Sequence, residues 1–251
     1  MSSFNILLTR VMTVLLVTLL TACSSVPDLE GNTEEPRVKL PADYAEKSIS
    51  NGYTDPWEGF NRRMYYFNAK ADEYVLLPVV AGYKAVTPDI LEVGISNFFS
   101  NLGEISVFIN SILQAKPAVA AETFGRFAVN TTVGIFGFFD VATPLGLDEQ
   151  NEDFGQTLGV WGVDAGPYLV LPLLGPSSLR DATGSAIDML AFQAIIDELG
   201  MEGDEEIFLS LLSSIDTRAS LPFRYYSSGS AFEYERLKIL YMKYREIQIA
   251  R

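Results

Sequence analysis

The sequence predicts a mainly α-helical body in which apolar helices are interrupted by glycine-rich irregular backbone, and three observations carry that reading. Apolar residues recur at helical spacing along several stretches. Two of those stretches are apolar on nearly every side. Between them and the last helices lies a middle section crowded with glycine and proline.

Residues 1–22 read as a signal peptide. Arg10 closes a short n-region and Val11 to Leu20 form an almost unbroken apolar run. That run is about half of the roughly 20 apolar residues a spanning helix needs, so it suits a secretory h-region. Leu20-Thr21-Ala22-Cys23 follows it and resembles a bacterial lipobox. The resemblance implies cleavage before Cys23 and lipidation of Cys23, since several acyl chains on one residue give stable anchoring. An ordinary cleaved signal with a cysteine nearby is the alternative. Ser24, rather than Asp, follows the cysteine and favours the outer membrane. Residues 23–54 are rich in Pro, Asp, Glu, Ser and Asn without an apolar period, and are expected to form a flexible tether.

The body is expected over residues 55–251. Pro56 suits a first helical turn, Asp55 a cap before it, and Trp57, Phe60, Met64 and Phe67 then mark an amphipathic helix. Asp55, Trp57 and Arg62 are expected to fix its entry. Leu77-Pro78 should break or kink the chain beyond it, and Thr87-Pro88-Asp89 should open another helix. Ile90 to Leu113 carries only Glu92 and Glu104 as charges, and Gly103 is expected to divide it in two. Pro117 to Val141 is the second apolar stretch, with Phe124, Phe127, Phe136, Phe138 and Phe139 beside Glu122, Arg126 and Asp140. A helix apolar all round lies in a core or in lipid. Two of them in one such domain leave little polar surface to cover both, which favours helices partly embedded in a membrane.

Thr131 to Gly146, with Gly134 and Gly137, reads as a short hairpin or an irregular loop. Asn151 to Gly175 reads as irregular backbone lining something. Helices should resume over Pro176 to Leu199 and Asp204 to Ile215. In the last, Ala231 to Ile249, Leu237, Leu240, Tyr244 and Ile247 share one face, with Glu235, Lys238, Lys243 and Arg245 opposite.

Composition removes whole classes of function. The formal net charge of −14 opposes nucleic acid, which selects clustered Lys and Arg, and opposes docking by charge onto an anionic surface. The 251 residues hold one cysteine and no histidine, so an internal disulfide is excluded and a zinc site is disfavoured. The usual base of a serine or cysteine hydrolase is missing too. Ser177, Ser178, Ser185 and Ser230 lie in no Gly-x-Ser-x-Gly elbow. No enzyme, cofactor or metal is expected.

One ordered set of motifs runs from Asp55-Pro56-Trp57-Glu58-Gly59-Phe60-Asn61-Arg62 through Asn97-Phe98-Phe99-Ser100-Asn101-Leu102 and Arg126-Phe127-Ala128-Val129-Asn130-Thr131-Thr132. Its longest piece is Asp153-Phe154-Gly155-Gln156-Thr157-Leu158-Gly159-Val160-Trp161-Gly162. Gly166-Pro167-Tyr168, Leu171-Pro172, Gly175-Pro176-Ser177, Arg180-Asp181 and Ile215-Asp216-Thr217-Arg218-Ala219 come next, in order. In these motifs the sequence resembles the MlaA (VacJ) family of outer-membrane lipoproteins. Two departures stand out: Gly103 where a proline often follows the Asn97–Leu102 motif, and a chain ending at Arg251 without the polar tail of some members.

The resemblance implies a ring of helices embedded in the periplasmic-facing leaflet of the outer membrane, around an amphipathic channel. It also implies removal of mislocalised phospholipids from the outer leaflet and their passage to a periplasmic lipid-carrier protein of an ABC transport system, beside trimeric porins. A structural lipoprotein scaffolding porins is the alternative, and it has no need of irregular backbone between apolar helices. The lipid path is expected along Gly134, Gly137, Phe138, Phe139, Asp140, Asp153, Arg180, Asp181 and Arg218, although Arg180-Asp181 also suits a structural charge pair and the phenylalanines suit packing. Trp57 and Trp161 are candidates for an interfacial belt.

Overall fold

A computed structural model describes residues 53–198, 200 and 203–251. Signal peptide, Cys23 and nearly all of the expected tether lie outside the described residues. Tyr53 and Thr54 already touch the body: the Tyr53 hydroxyl donates to Glu246 Oε1 (2.6 Å), and the Thr54 carbonyl accepts from the Tyr168 N–H (3.2 Å).

Helix α1 (Glu58–Ala71) starts later than the expected cap implies. Trp57 holds the cap position without a side-chain capping bond. The Asp55 carboxylate instead turns inward, accepting from Asn61 Nδ2 (2.7 Å), the Tyr234 hydroxyl (2.6 Å) and Lys238 Nζ (3.2 Å). Three buried donors, one of them charged, outweigh one backbone N–H. Leu77-Pro78 does not end the helix. The chain passes through a π-helical turn (Asp72–Leu76) into α2 (Leu77–Val86), and the proline sits in the first turn of α2, where its missing N–H costs least.

Helix α3 (Asp89–Leu113) opens at Thr87-Pro88-Asp89 as expected, but Gly103 does not divide it. One interior glycine costs about 1 kcal/mol relative to alanine, and antiparallel packing on α4 (Pro117–Thr132) along much of the helix outweighs that. Residues 133–153 are irregular apart from a 3-10 turn at Thr143–Leu145. Short helix α5 (Phe154–Val160) precedes the described hairpin, β1 (Tyr168–Leu171) antiparallel to β2 (Gly175–Ser178), with Tyr168 opposite Ser178 and Leu171 opposite Gly175. So Asn151 to Gly175 is less irregular than expected. Helix α6 (Leu179–Glu198) begins three residues after Pro176, because Pro176 to Ser178 are held by β1. Helix α7 (Asp204–Ser220) outruns Ile215, and α8 (Glu233–Ala250) closes the fold.

A small tyrosine-rich core joins α1, the hairpin and α8. Tyr65 packs edge-on against Tyr225, Tyr226 and Tyr234, with Ala69, Tyr168, Val170 and Met242 around them. Elsewhere the usual partition of a globular protein is reversed. Among the described residues, buried polar and charged side chains outnumber buried apolar ones, and large apolar side chains stand exposed on most helices. The buried residues of α3 are Gly94, Asn101, Glu104, Asn110 and Ser111, while Ile90, Leu91, Val93, Ile109 and Ile112 face out.

Helix α8 shows the reversal most plainly. Leu240, Tyr244 and Ile247 are exposed, and Glu235, Lys238, Arg245 and Gln248 turn inward. Of the residues expected on the polar face only Lys243 stays outside, and of the expected apolar face only Leu237 packs against the core. No described helix is long and apolar enough to cross a membrane.

Candidate functional site

Polar interiors must be paired to be tolerated, and here the pairing gathers the candidate residues into three separate groups. The first joins α5, α6 and α8. Asp153 caps α5, accepting from the Gln156 N–H (2.8 Å). Arg245 of α8 grips it with two parallel bonds, Nη1 to Oδ2 (2.6 Å) and Nη2 to Oδ1 (2.8 Å), and also donates to Asp181 Oδ1 (3.0 Å). Arg180 Nη2 reaches that same oxygen (2.9 Å), and the Tyr241 hydroxyl donates to Asp181 Oδ2 (2.9 Å).

Two cations and two anions are thus locked beneath the hairpin. Burial alone would raise both carboxyls, yet the hydrogen bonds and charge of Arg245 outweigh it and hold Asp153 and Asp181 below the usual carboxylate range. Glycine makes the approach possible. A Cβ on Gly184 would lie 2.3 Å from the Gly155 nitrogen, so α5 and α6 touch backbone to backbone.

The second group holds Gly134 to Asp140. Ile135, Phe136 and Gly137 are all left-handed, with φ of 56°, 56° and 87°, a conformation that costs a β-branched residue on the order of 1–3 kcal/mol. Asn130 fixes the return of the loop: its Oδ1 accepts from the N–H groups of Val141 (2.8 Å) and Ala142 (2.9 Å), and its Nδ2 donates to Asp140 Oδ1 (3.1 Å). Beside it Arg126 spans Glu104 (2.6 Å), the Thr143 hydroxyl (2.9 Å) and the Leu147 carbonyl (2.5 Å), with Asp140 at 3.5 Å. Desolvation raises Glu104 despite Arg126, while bonds from Thr143 and Asn130 overcome burial and lower Asp140.

The two phenylalanines part company. Phe138 wedges over Gly94 of α3, where any Cβ would fall 2.1 Å from its ring, whereas Phe139 is exposed. Gly137 is needed twice over, for its φ and because a Cβ would meet Asn101 at 2.4 Å.

Arg218 stands apart in the third group. It clamps Asp72 in the π-helical turn through Nε (2.5 Å) and Nη2 (2.8 Å), and its remaining donors reach the Leu221 (2.9 Å) and Phe223 (3.1 Å) carbonyls. The pair borders a cavity of about 250 Å³ whose walls include Leu173, Leu174, Phe223 and Tyr225. The structure therefore brings Asp153, Arg180 and Asp181 together, groups Gly134 to Asp140, and leaves Arg218 separate.

Sequence reasoning missed Arg245, Tyr241, Glu104, Asn130 and Asp72 as partners. Two of them carried a signal: Glu104 is one of two charges in an otherwise apolar helix, and Asn130 lies in the Arg126–Thr132 motif of the resemblance. Arg245 reads in the sequence as part of an outer polar face, and nothing in its spacing says that this face points in. Trp161 is exposed and donates to the Leu113 carbonyl (3.0 Å), and Trp57 is exposed at the start of α1.

Known proteins share this architecture. A solved structure from work on the structural basis for maintenance of bacterial outer membrane lipid asymmetry superposes with a TM-score of 0.65 at 33% identity, covering 78% of this chain and 99% of that one. An uncharacterised protein of Rickettsia typhi is 35% identical over 196 residues, 78% of either chain. The intermembrane phospholipid transport system lipoproteins MlaA of Escherichia coli K12 and Shigella flexneri are each 42% identical, over 55% of this chain and 56% and 57% of theirs. The family model described as MlaA lipoprotein matches residues 53–248, which takes in all three polar groups. The chain belongs to the MlaA lipoprotein family.

Proposed function

We propose that the protein takes mislocalised phospholipids from the outer leaflet of the outer membrane and passes them to a periplasmic carrier for return to the inner membrane, so maintaining lipid asymmetry. It acts from the periplasmic-facing leaflet, anchored through Cys23 and seated beside trimeric porins, with an ABC transport system downstream. The observation that carries this reading is the reversed partition: charged pairs inside, apolar side chains such as Val86, Ile90, Val93, Leu190, Leu240 and Tyr244 outside.

In water each exposed apolar Å² would cost about 25 cal/mol, and so large an apolar exterior marks an interaction surface. Hydrocarbon removes that cost. Inside such a surround, ion pairs and irregular backbone are tolerated where protein buries them or a wet path passes. A headgroup needs such a polar lining while its tails remain near lipid. The relatives named for intermembrane phospholipid transport point to the same cargo.

The test is the amount of phospholipid exposed on intact cells, read with an enzyme that modifies only surface lipid, with and without the gene. Deletion should raise it, wild type should restore it, and Cys23→Ala displaced from the membrane should not. Unchanged surface phospholipid with disturbed porins would instead promote the scaffold.

A further inference from the structure

Where α7 packs against α2 and α3, a fourth polar cluster lies outside the three groups above. Asp216 of α7 is only 5% exposed, and its Oδ1 has no hydrogen-bond partner. The Tyr83 hydroxyl of α2 is also buried and unpartnered, and it lies within electrostatic range of Asp216 without bonding to it. Burial pushes the Asp216 carboxyl up, and the neighbouring Ser96 hydroxyl of α3 offsets part of that rise. Glu92 of α3 also borders Asp216, and nearer the surface it is paired with Lys84 of α2 (3.0 Å).

Lys84 is bonded to Glu92, which leaves the Asp216 Oδ1 oxygen without a partner. A buried carboxylate oxygen and a buried hydroxyl at one helix junction are each costly when unsatisfied, so the junction is suited to a group that donates to both. Among the described residues no cluster has the acidic or thiol ligands a metal ion takes. A primary ammonium needs only a few oxygen acceptors, and this junction supplies the Asp216 oxygen and the Tyr83 hydroxyl. The apolar side chains of Val86, Ile90 and Phe208 stand exposed on the same three helices.

Resting on the lipid-transport reading, we propose that Asp216, Tyr83 and Ser96 form a recognition site for the primary ammonium of an ethanolamine-type phospholipid headgroup, with Lys84 taking its phosphate. Entry is an exchange. The headgroup opens the Lys84–Glu92 pair: its phosphate takes the place of Glu92 on Lys84, and the freed Glu92 carboxylate turns to solvent. The headgroup ammonium sets a positive charge beside Asp216, and the zwitterion leaves the net charge of the junction unchanged. The tails stay along the exposed apolar face. The site therefore discriminates zwitterionic ethanolamine lipids from anionic glycerol lipids, which carry phosphate but no ammonium.

The experiment uses the full-length protein purified in detergent and given equal phosphatidylethanolamine and phosphatidylglycerol, with bound lipid counted by native mass spectrometry. Wild type should retain the ethanolamine lipid in excess. Asp216→Asn should lower that excess by about tenfold, the scale of one charge-assisted hydrogen bond, while glycerol-lipid binding and the melting curve hold. Tyr83→Phe should lower it less.

An equal preference in wild type and Asp216→Asn overturns the proposal, including when the variant differs only in binding sodium. Wild type that binds both lipids equally also overturns it and leaves transport standing. Wild type that retains neither lipid overturns the transport reading and this site with it. If Asp216→Asn does not fold, Tyr83→Phe and Lys84→Gln decide by the same ratio.

Discussion

Arg245 is one of the joints between α8 and the rest of the body, and replacing it with methionine tests the account of the polar interior. Methionine keeps most of the volume and removes the charge, so cavity effects are small. Asp153 then loses both bonds from Arg245, while Asp181 keeps Arg180 and Tyr241. Breaking a buried ion pair from one side costs about 3–5 kcal/mol. The Asp153 side chain is 33% exposed, which lets water relieve part of the loss and places the expectation near the lower end, about 3 kcal/mol.

At about 2–4 °C per kcal/mol for a body of this size, the melting temperature should fall by about 6–12 °C. The assay is thermal unfolding in detergent followed by circular dichroism. The double variant Arg245→Met with Asp153→Asn should recover at least half of the loss, because no uncompensated carboxylate remains at that position. A loss below about 1 kcal/mol, or a double variant no better than the single, would refute the claim that this pair fastens α8.

Three further outcomes rest on the same geometry. Gly184→Ala should destabilise by about 1–3 kcal/mol despite its better helix propensity, since the new methyl meets the Gly155 backbone; a melting curve at or above wild type would contradict that. Gly137→Ala should lose the function while the protein is still made, because the left-handed turn against Asn101 cannot form; normal surface phospholipid in cells carrying it would refute this. Acid should loosen the α5–α6–α8 junction. Asp153 and Asp181 are lowered in the folded state, so the unfolded chain binds more protons as pH falls, and their contribution is present above the unfolded carboxylate value of about 3.9 and lost below it. Melting temperature against pH should therefore drop below about pH 4, and a curve flat down to pH 2 would remove these carboxylates from the account.

Much of the helical order was legible because it rests on local signals. Thr87-Pro88-Asp89 starts α3, and the spacing of Trp57, Phe60, Met64 and Phe67 traces α1. The features that escaped are set at a distance. Gly103 reads as a divider until α4 packs alongside, and Asp55 reads as a cap until Tyr234 and Lys238, some 180 positions later, arrive to bond it. The site was legible in part for a related reason. Charges beside glycines pointed to Asp140, Asp153, Arg180 and Asp181, but their partners Arg245 and Asn130 belong to helices whose inward side could not be read. Periodicity finds two faces of a helix; it does not say which one meets the solvent.

That last point reaches beyond this molecule's own stability. Along α8 the ordinary pattern of tolerated substitution is turned around. Exchanging Leu240 for isoleucine or phenylalanine should pass unnoticed, and so should most greasy replacements of Tyr244 or Ile247. Exchanging Lys238, Arg245 or Gln248 for their nearest polar kin should not, because each must keep its own bonding geometry. In family members compared side by side, variable oily positions and invariant hydrophilic ones would trace the same wall that a soluble helix draws with the opposite alphabet.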